Sequence, residues 1–139
     1  MIANVEGAEI QDESVRPIRI LIADDDPAVL RVLNNVVRFL GHVVVGTAVS
    51  GKECIRRTQE LRPDLLMLDL SMPDANGMEI AAVISKRTDV PIVIITGETD
   101  DETVACLRAA KVSGYLAKPF TLEGLKAAIE TAIQQTVSK

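Results

Sequence analysis

Aromatic side chains and histidine are almost missing from this sequence, which has no tryptophan, one tyrosine, two phenylalanines and one histidine. With aromatic residues at 2%, the chain lacks the stacking platforms on which single-stranded nucleic acids bind. The single histidine, His42, excludes a metal site built from several histidines. The two cysteines, Cys54 and Cys106, have no cysteine or histidine partners at metal-ligand spacing, and they fit a reduced, cytoplasmic setting.

Excess positive charge and long apolar runs are also missing. The chain has 15 lysines and arginines against 20 acids, and its net charge of −5 argues against direct nucleic-acid binding. No apolar stretch reaches the ~20 residues that a membrane-spanning helix needs. Residues 1–16 are acidic, lack the basic start of a signal peptide and predict a flexible tail. Because hydrophobic residues still make up 47% of the chain, residues 17–139 are expected to form one soluble domain.

Short apolar runs and helical patterns alternate five times along the chain. Strands are predicted to start near Ile18, Val43, Leu65, Pro91 and Gly114, and helices are predicted over residues 27–40, 51–61, 78–87, 100–110 and 122–133. Each interval leaves room for one crossover helix. The pattern predicts an α/β fold, a doubly wound (βα)5 flavodoxin-like sheet of five parallel strands in the order 2-1-3-4-5 with helices on both faces.

Local signals mark where several of these elements begin. Asp26 is the predicted N-cap of the first helix, because Pro27 suits its first position. Ser50 and Glu53 have the spacing of a capping box for the second helix. His42 follows a predicted helix end in a turn, and we expect its ring to be exposed to solvent.

The third predicted strand, Leu65 to Leu68, is apolar on both faces and is therefore expected to be central. It ends at Asp69, and on its own this carboxylate fits a helix cap as well as a functional acid. The carboxyl ends of parallel strands meet at one edge of a sheet, where such folds bind ligands. Four strands deliver polar side chains to that edge, namely Asp24 and Asp25, then Asp69, Thr96 and Lys118.

Three carboxylates at one edge repel one another, and such a cluster persists only if a cation neutralises it. Oxygen ligands of this kind suit Mg²⁺, which commonly binds phosphate as a further partner. A lysine ammonium and a threonine hydroxyl would complement phosphoryl oxygens, and an aspartate can accept a phosphoryl group. The residues therefore indicate phosphoryl transfer to an aspartate.

Four short motifs at these strand ends resemble those of a known family, the receiver domain of bacterial two-component response regulators. The resemblance extends over about residues 18–135, and the order and placement of the motifs make it specific. The matching segments are Leu21-Ile-Ala-Asp24-Asp25-Asp26, Asp69-Leu-Ser-Met-Pro73 with Gly77 behind it, Ile94-Ile-Thr96-Gly97, and Gly114-Tyr115-Leu-Ala-Lys118-Pro119-Phe120.

The resemblance implies a phosphoacceptor and a metal site. Asp69 would take a phosphoryl group from a histidine on a sensor kinase or on a phosphotransfer protein. Asp25 and Asp69 would bind Mg²⁺ through their side chains, Asp24 would bind it through water, and Ser71 would bind it through its backbone carbonyl. The chain would act as a signalling phosphoacceptor, catalysing only its own phosphorylation and dephosphorylation.

The resemblance also implies a switch and an output surface. Thr96 and Lys118 would bind the phosphoryl oxygens, and Thr96 and Tyr115 would change position together on phosphorylation. Pro119 would follow a cis peptide bond. The fourth predicted helix, the fifth strand and the fifth predicted helix would form the output face, which is also a candidate homodimer interface.

Two features depart from the family pattern. Ser71 and Glu98 occupy positions that tune dephosphorylation in this family, so the lifetime of the phosphoryl group stays open. The loop Pro73 to Gly77 lacks the common Met-Asp-Gly ending, which leaves its shape open. The sequence is equally compatible with a stand-alone receiver and with a piece of a longer regulator.

Two other functions compete with the receiver interpretation. A haloacid-dehalogenase-like phosphatase also uses Asp, Thr, Lys and Mg²⁺, with Asp24 and Asp26 as its Asp-x-Asp pair. Pro27 immediately after this pair, and the absence of a late acidic pair, argue against it. An interaction module that works without phosphorylation is the second alternative, and the complete set of acids with Thr96 and Lys118 argues against that.

Overall fold

The computed structural model describes residues 16–97, 105 and 112–137. Within them the chain forms, in order, β1 (Arg19–Ala23), α1 (Pro27–Phe39), β2 (Val43–Ala48), α2 (Gly51–Leu61), β3 (Leu65–Asp69), α3 (Gly77–Arg87), β4 (Ile92–Thr96), β5 (Gly114–Ala117) and α4 (Leu122–Val137). The predicted tail over residues 1–16, except Arg16, and the helix predicted over residues 100–110, except Ala105, lie outside the described residues, as does Glu98. The α4 helix is therefore the fifth helix of the sequence prediction.

The five strands form one parallel sheet in the order β2-β1-β3-β4-β5, as predicted. All five residues of β3 are buried, because this strand has a neighbour on each edge and helices on both faces. The expectation that the Leu65 to Leu68 run is central is thus confirmed. The doubly wound architecture places the carboxyl ends of β1 and β3 next to each other.

Alternate residues of each central strand enter two separate cores. In β1, Leu21 and Ala23 pack on the side of α2 and α3, together with Cys54 and Ile80. Ile20 and Ile22, which alternate with them, pack on the side of α1 and α4. Their neighbours there are Leu33, Val37, Leu125 and Ile129. Because both faces are covered in this way, the buried segments 20–23 of β1 and 65–68 of β3 are apolar on both sides.

The helix boundaries agree with most of the predicted caps. The Asp26 carboxylate accepts a hydrogen bond from the Ala28 N–H at 2.9 Å, directly before Pro27. The Ser50 hydroxyl accepts one from the Glu53 N–H at 3.1 Å. However, the Glu53 carboxylate accepts from the Val49 N–H, at 2.9 Å, rather than from the Ser50 N–H. The predicted capping box is therefore wrong in its second half.

A reciprocal capping box is found instead at the start of α3. The Asn76 side chain caps the helix, and the Glu79 carboxylate accepts a hydrogen bond from the Asn76 N–H at 3.3 Å. The Asn-x-x-Glu spacing in the sequence is compatible with this capping box, although the usual first residue of a capping box is serine or threonine. As a result α3 begins at Gly77, one residue earlier than predicted.

His42 is only 7% exposed, so the prediction of a solvent-exposed ring is wrong. Gly41, with φ of 95°, closes α1 and turns the chain back towards β2. The ring Nδ1 of His42 then accepts a hydrogen bond from the Ile18 N–H at 3.2 Å. Burial lowers the pKa of His42, although the nearby charge of Glu130 acts in the opposite direction.

Across the described part of the chain, no helix combines the length and the apolar character that crossing a membrane requires.

Replacing His42 by asparagine tests whether this buried ring makes the fold sensitive to acid. Because burial lowers the pKa of His42 in the folded state, the unfolded chain binds a proton more readily. The contribution of neutral His42 is fully present above the unfolded pKa of about 6.5 and is lost as the pH falls below it. We expect the free energy of unfolding of the wild type to decrease between pH 7.5 and 5.5 more than that of His42→Asn. Urea denaturation at several pH values measures this, and parallel pH profiles would contradict it.

Candidate functional site

The candidate site is formed where β1 and β3 end side by side. Ala23 of β1 pairs with Leu68 of β3, so Asp24 and Asp69 leave the sheet at the same level. Both residues are buried, at 0% and 4% exposure, whereas the neighbouring Asp25 is exposed. Within the described residues, Asp24, Asp25 and Asp69 each offer a carboxylate oxygen, and these oxygens all lie within 4.8 Å of one another. The three predicted carboxylates are thus brought together.

Lys118 reaches this cluster from the end of β5. Its Nζ donates to Asp24 Oδ2 at 3.2 Å and to Asp69 Oδ1 at 3.5 Å. The peptide bond between Lys118 and Pro119 is cis, as predicted. The lysine side chain is 29% exposed, so these ion pairs are partly shielded from water.

The pKa values of Asp69 and Lys118 are both raised in the site. Burial, followed by the charge of Asp24, raises the pKa of Asp69, and the ammonium of Lys118 only partly opposes this. Burial on its own would lower the pKa of Lys118, but the charges of Asp24 and Asp69 outweigh it and raise that pKa. One ammonium therefore does not satisfy the buried carboxylates, and the oxygen-only ligand set fits a hard divalent cation.

The other predicted residues lie around this cluster at different depths. Thr96, the last residue of β4, is 2% exposed, and its carbonyl accepts a hydrogen bond from the Lys118 N–H at 2.8 Å. Tyr115 lies in the middle of β5 and is 41% exposed. Ser71 is exposed and forms an isolated antiparallel bridge with Asn76. Thr96 and Lys118 are therefore adjacent, while the Tyr115 side chain is at the surface.

The turn that follows Asp69 is closed by Gly77. The Gly77 N–H donates to the Leu70 carbonyl at 2.7 Å. A Cβ at position 77 would lie 2.7 Å from Leu70 Cα and 2.8 Å from the Asp69 carbonyl oxygen. The sequence marks Gly77 as part of the motif, but only the structure shows that the backbone at the start of α3 lies against the backbone at the end of β3.

Asp74, in the same loop, has a role that the sequence did not reveal. Its carboxylate accepts hydrogen bonds from the Gly51 N–H at 2.7 Å and from the Lys52 N–H at 3.1 Å. These two backbone amides lower the pKa of Asp74. The contact joins residues more than 20 positions apart, so no local sequence pattern predicts it.

Replacing Asp25 by asparagine tests the charge balance of the site. Because Asp25 adds a third negative charge within 4.8 Å of the other two, we expect its removal to stabilise the metal-free protein by about 1 kcal/mol. The same change should greatly reduce the stabilisation of the protein by added Mg²⁺. Thermal unfolding in EDTA and in millimolar Mg²⁺ measures both effects. Asp89→Asn, on the connection that enters β4, is the matched control for loss of one charge, and Mg²⁺ stabilising all three proteins equally would contradict the assignment.

Replacing Gly77 by alanine tests the close approach behind Asp69. Alanine usually stabilises a helix relative to glycine, but here its Cβ meets backbone atoms that cannot rotate away. We expect a loss of about 1–3 kcal/mol of stability, typical of overpacking. Gly124→Ala in the first turn of α4 is the control, because its Cβ would meet only side-chain atoms, the nearest 3.1 Å away. Equal urea midpoints for the two variants would contradict this expectation.

The chain matches known proteins over most of its length. A model of the response regulator receiver domain family matches residues 20–130. The chain is 41% identical over 114 residues to the probable C4-dicarboxylate response regulator DctR of Halalkalibacterium halodurans, covering 81% of this chain and 50% of that protein. It is 32% identical over 129 residues to the transcriptional regulatory protein PdtaR of Mycobacterium tuberculosis, covering 93% of this chain and 63% of that protein.

Solved structures give the same result. The signal receiver domain of a modulated diguanylate cyclase from Desulfovibrio desulfuricans is similar to this chain with a TM-score of 0.80 at 30% identity, covering 89% of this chain and 100% of that one. The chain spans 50% of the length of the DctR relative and 63% of the length of the PdtaR relative. By its family match and by its fold, the chain belongs to the response regulator receiver domain family of two-component regulatory systems.

Proposed function

We propose that this chain accepts a phosphoryl group on Asp69 and relays it as a change of conformation. A carboxylate oxygen of Asp69 attacks the phosphorus of a phosphohistidine on a kinase or phosphotransfer protein. The phosphorus–nitrogen bond breaks, its electron pair returns to the donor imidazole, and an aspartyl phosphate forms. Hydrolysis of this acyl phosphate regenerates the carboxylate. The chain is a signalling phosphoacceptor that undergoes this chemistry itself and does not turn over a separate substrate.

One observation carries this proposal: a buried carboxylate that shares its surroundings with two further carboxylates and an ammonium. The oxygens of Asp24, Asp25 and Asp69 lie within 4.8 Å of one another, and Lys118 Nζ lies 3.5 Å from Asp69 Oδ1. A carboxylate that served only as a helix cap would not need this arrangement. Membership of the receiver family supports Asp69 as the acceptor.

The donor atoms fit Mg²⁺ bound by Asp25, Asp69 and the Ser71 carbonyl. Both oxygens of Asp24 already accept hydrogen bonds, Oδ1 from the Asp26 N–H at 2.9 Å and Oδ2 from Lys118 at 3.2 Å. This supports a contact of Asp24 with the metal through water rather than a direct bond. When bound, Mg²⁺ would supply positive charge to the phosphoryl oxygens during transfer.

Lys118 and Thr96 would hold the phosphoryl oxygens that face away from the metal. Lys118 already contacts Asp69, so its ammonium can follow the charge as it moves from the carboxylate to the phosphoryl group. Thr96 is adjacent to Lys118 through the hydrogen bond between their backbones. The exposed Tyr115 corresponds to one state of the proposed switch, and the phosphorylated state would bury its ring as the Thr96 hydroxyl moves.

The donor would be a sensor histidine kinase or a histidine phosphotransfer protein in the cytoplasm. The family match over residues 20–130 supports a receiver domain over residues 17–139, preceded by the acidic tail over residues 1–16. The output face would include β5 and α4 together with the helix predicted over residues 100–110, and this face could also form a homodimer. Neither direct nucleic-acid binding nor membrane binding is proposed for this domain.

The two alternatives have less support. In the phosphatase interpretation Asp26 would be a catalytic acid, but its carboxylate is used to cap α1 at Ala28. The family match and the neighbouring receiver structures favour the phosphoacceptor over that enzyme. The alternative of a phosphorylation-independent module does not explain why the three acids and Lys118 converge.

Incubation with acetyl phosphate tests the acceptor directly. In the presence of Mg²⁺, intact-mass spectrometry should show one added phosphoryl group on the wild type and none on Asp69→Asn, which lacks the nucleophilic oxygen. EDTA should prevent the addition. Lys118→Ala should reduce the rate of addition by about 10²-fold or more, typical of losing one charge-stabilising donor.

Three outcomes would refute the assignment. An adduct that persists on Asp69→Asn would place the acceptor elsewhere. Turnover of p-nitrophenyl phosphate that Asp24→Asn abolishes and Asp69→Asn preserves would support the phosphatase. Failure of the wild type to bind Mg²⁺ or beryllium fluoride would support the phosphorylation-independent module.

A further inference from the structure

We propose that Asp74 is a positioning residue for the metal site, because it anchors the turn after Asp69 to the beginning of α2. This inference rests on the proposed function, in which the Ser71 carbonyl binds Mg²⁺. Asp74 is not part of the carboxylate cluster of Asp24, Asp25 and Asp69. It acts through the backbone of the loop between β3 and α3.

The anchor consists of two charge-assisted hydrogen bonds between elements distant in sequence. Asp74 Oδ1 accepts from the Gly51 N–H at 2.7 Å and Oδ2 accepts from the Lys52 N–H at 3.1 Å. These are the first two N–H groups of α2, which have no partner within their own helix. The positive end of the helix dipole adds to the attraction for a carboxylate.

Asp74 does not duplicate the ordinary cap of this helix. Ser50 is the N-cap, and its hydroxyl accepts a hydrogen bond from the third N–H group, that of Glu53. The Asp74 carboxylate accepts from the Gly51 and Lys52 N–H groups from outside the helix. Within the described residues, the first two N–H groups of α2 therefore donate hydrogen bonds to the β3–α3 loop and not to their own helix.

Gly51 allows the start of α2 and the β3–α3 loop to approach each other closely. A Cβ at this position would lie 3.2 Å from Asp74 Oδ1 and 2.7 Å from Ile80 Cδ1. Glycine thus lets the α2 backbone reach both the loop and the first turns of α3. A side chain here would push the donors away from Asp74.

The loop held by Asp74 is the one that carries the proposed metal-binding carbonyl. Its two sides are joined by the bridge between Ser71 and Asn76, and its base is closed by the hydrogen bond from Gly77 to Leu70. Asp74 lies between these two sides, at the tip. With base and tip both fixed, the Ser71 carbonyl has few positions available to it, which favours cation binding by pre-organisation.

The test compares two variants that each remove a cap from the same helix. Asp74→Ala removes the anchor, and Ser50→Ala removes the local cap without touching the loop. Both should lower the unfolding temperature of the metal-free protein by a few degrees. Only Asp74→Ala should weaken Mg²⁺ binding, with an increase of about tenfold in Kd by isothermal titration calorimetry, as expected for a residue that supports a metal ligand.

Asp74→Asn separates anchoring from simple charge. Asparagine removes the negative charge but keeps an oxygen for the Gly51 N–H, so its Kd for Mg²⁺ should lie between those of the wild type and Asp74→Ala. Titrations at 0.15 M and 0.5 M salt check this, because a long-range charge effect would shrink as screening increases. Equal weakening by the asparagine and alanine variants that disappears at high salt would overturn the positioning role.

The failure of this inference can be distinguished from failure of the proposed function. If the wild type binds Mg²⁺, and both Asp74→Ala and Ser50→Ala bind it with the Kd of the wild type, Asp74 only stabilises the fold. The inference is then wrong. If the wild type itself does not bind Mg²⁺, the proposed function fails first and this inference fails with it.

Discussion

The ion pairs of Lys118 with Asp24 and Asp69 are the interaction on which the site depends. Three carboxylates share a small volume with one ammonium, and two of the three are buried at the end of an apolar sheet. Three negative charges against one positive charge leave two uncompensated, which is the charge of one divalent cation. The ends of β1 and β3 therefore place like charges together, an arrangement that a divalent cation would stabilise.

Most of the fold could be predicted because the sequence pattern of each strand and helix is local and recurs along the chain. Each strand is a short apolar run, and alternate residues such as Ile20 and Leu21 enter opposite cores. The crossover rule and the apolar run Leu65 to Leu68 of the central β3 then leave few arrangements of the sheet. Once the order of strands is known, the meeting of Asp24, Asp69 and Lys118 at one edge follows without further information. Residues 20–130 also match the receiver family, which agrees with that reasoning.

The details that could not be predicted depend on contacts between distant segments or on shifts of one residue. His42 was expected at the surface because it follows a helix end, but its ring nitrogen accepts from the Ile18 N–H, 24 residues earlier. Glu53 bonds to Val49 instead of Ser50, a difference of one residue that the sequence spacing does not resolve. Asp74 looks like an ordinary loop acid until α2 is placed beside it.

The site is unequally constrained, and this bears on where a change of charge can be transmitted. Asp24 follows β1 and Asp69 is the last residue of β3, and both strands have neighbours on both edges. The turn after Asp69 is held by contacts of Gly77 and Asp74. Lys118 follows β5, the strand at the end of the sheet order, which pairs with β4 alone among the described strands. Movement of the carboxylate side would break ladders on both edges, whereas movement of β5 disturbs one. In the function proposed above, a phosphoryl group on Asp69 would therefore act mainly through Lys118 and β5, where the exposed Tyr115 lies three residues before Lys118.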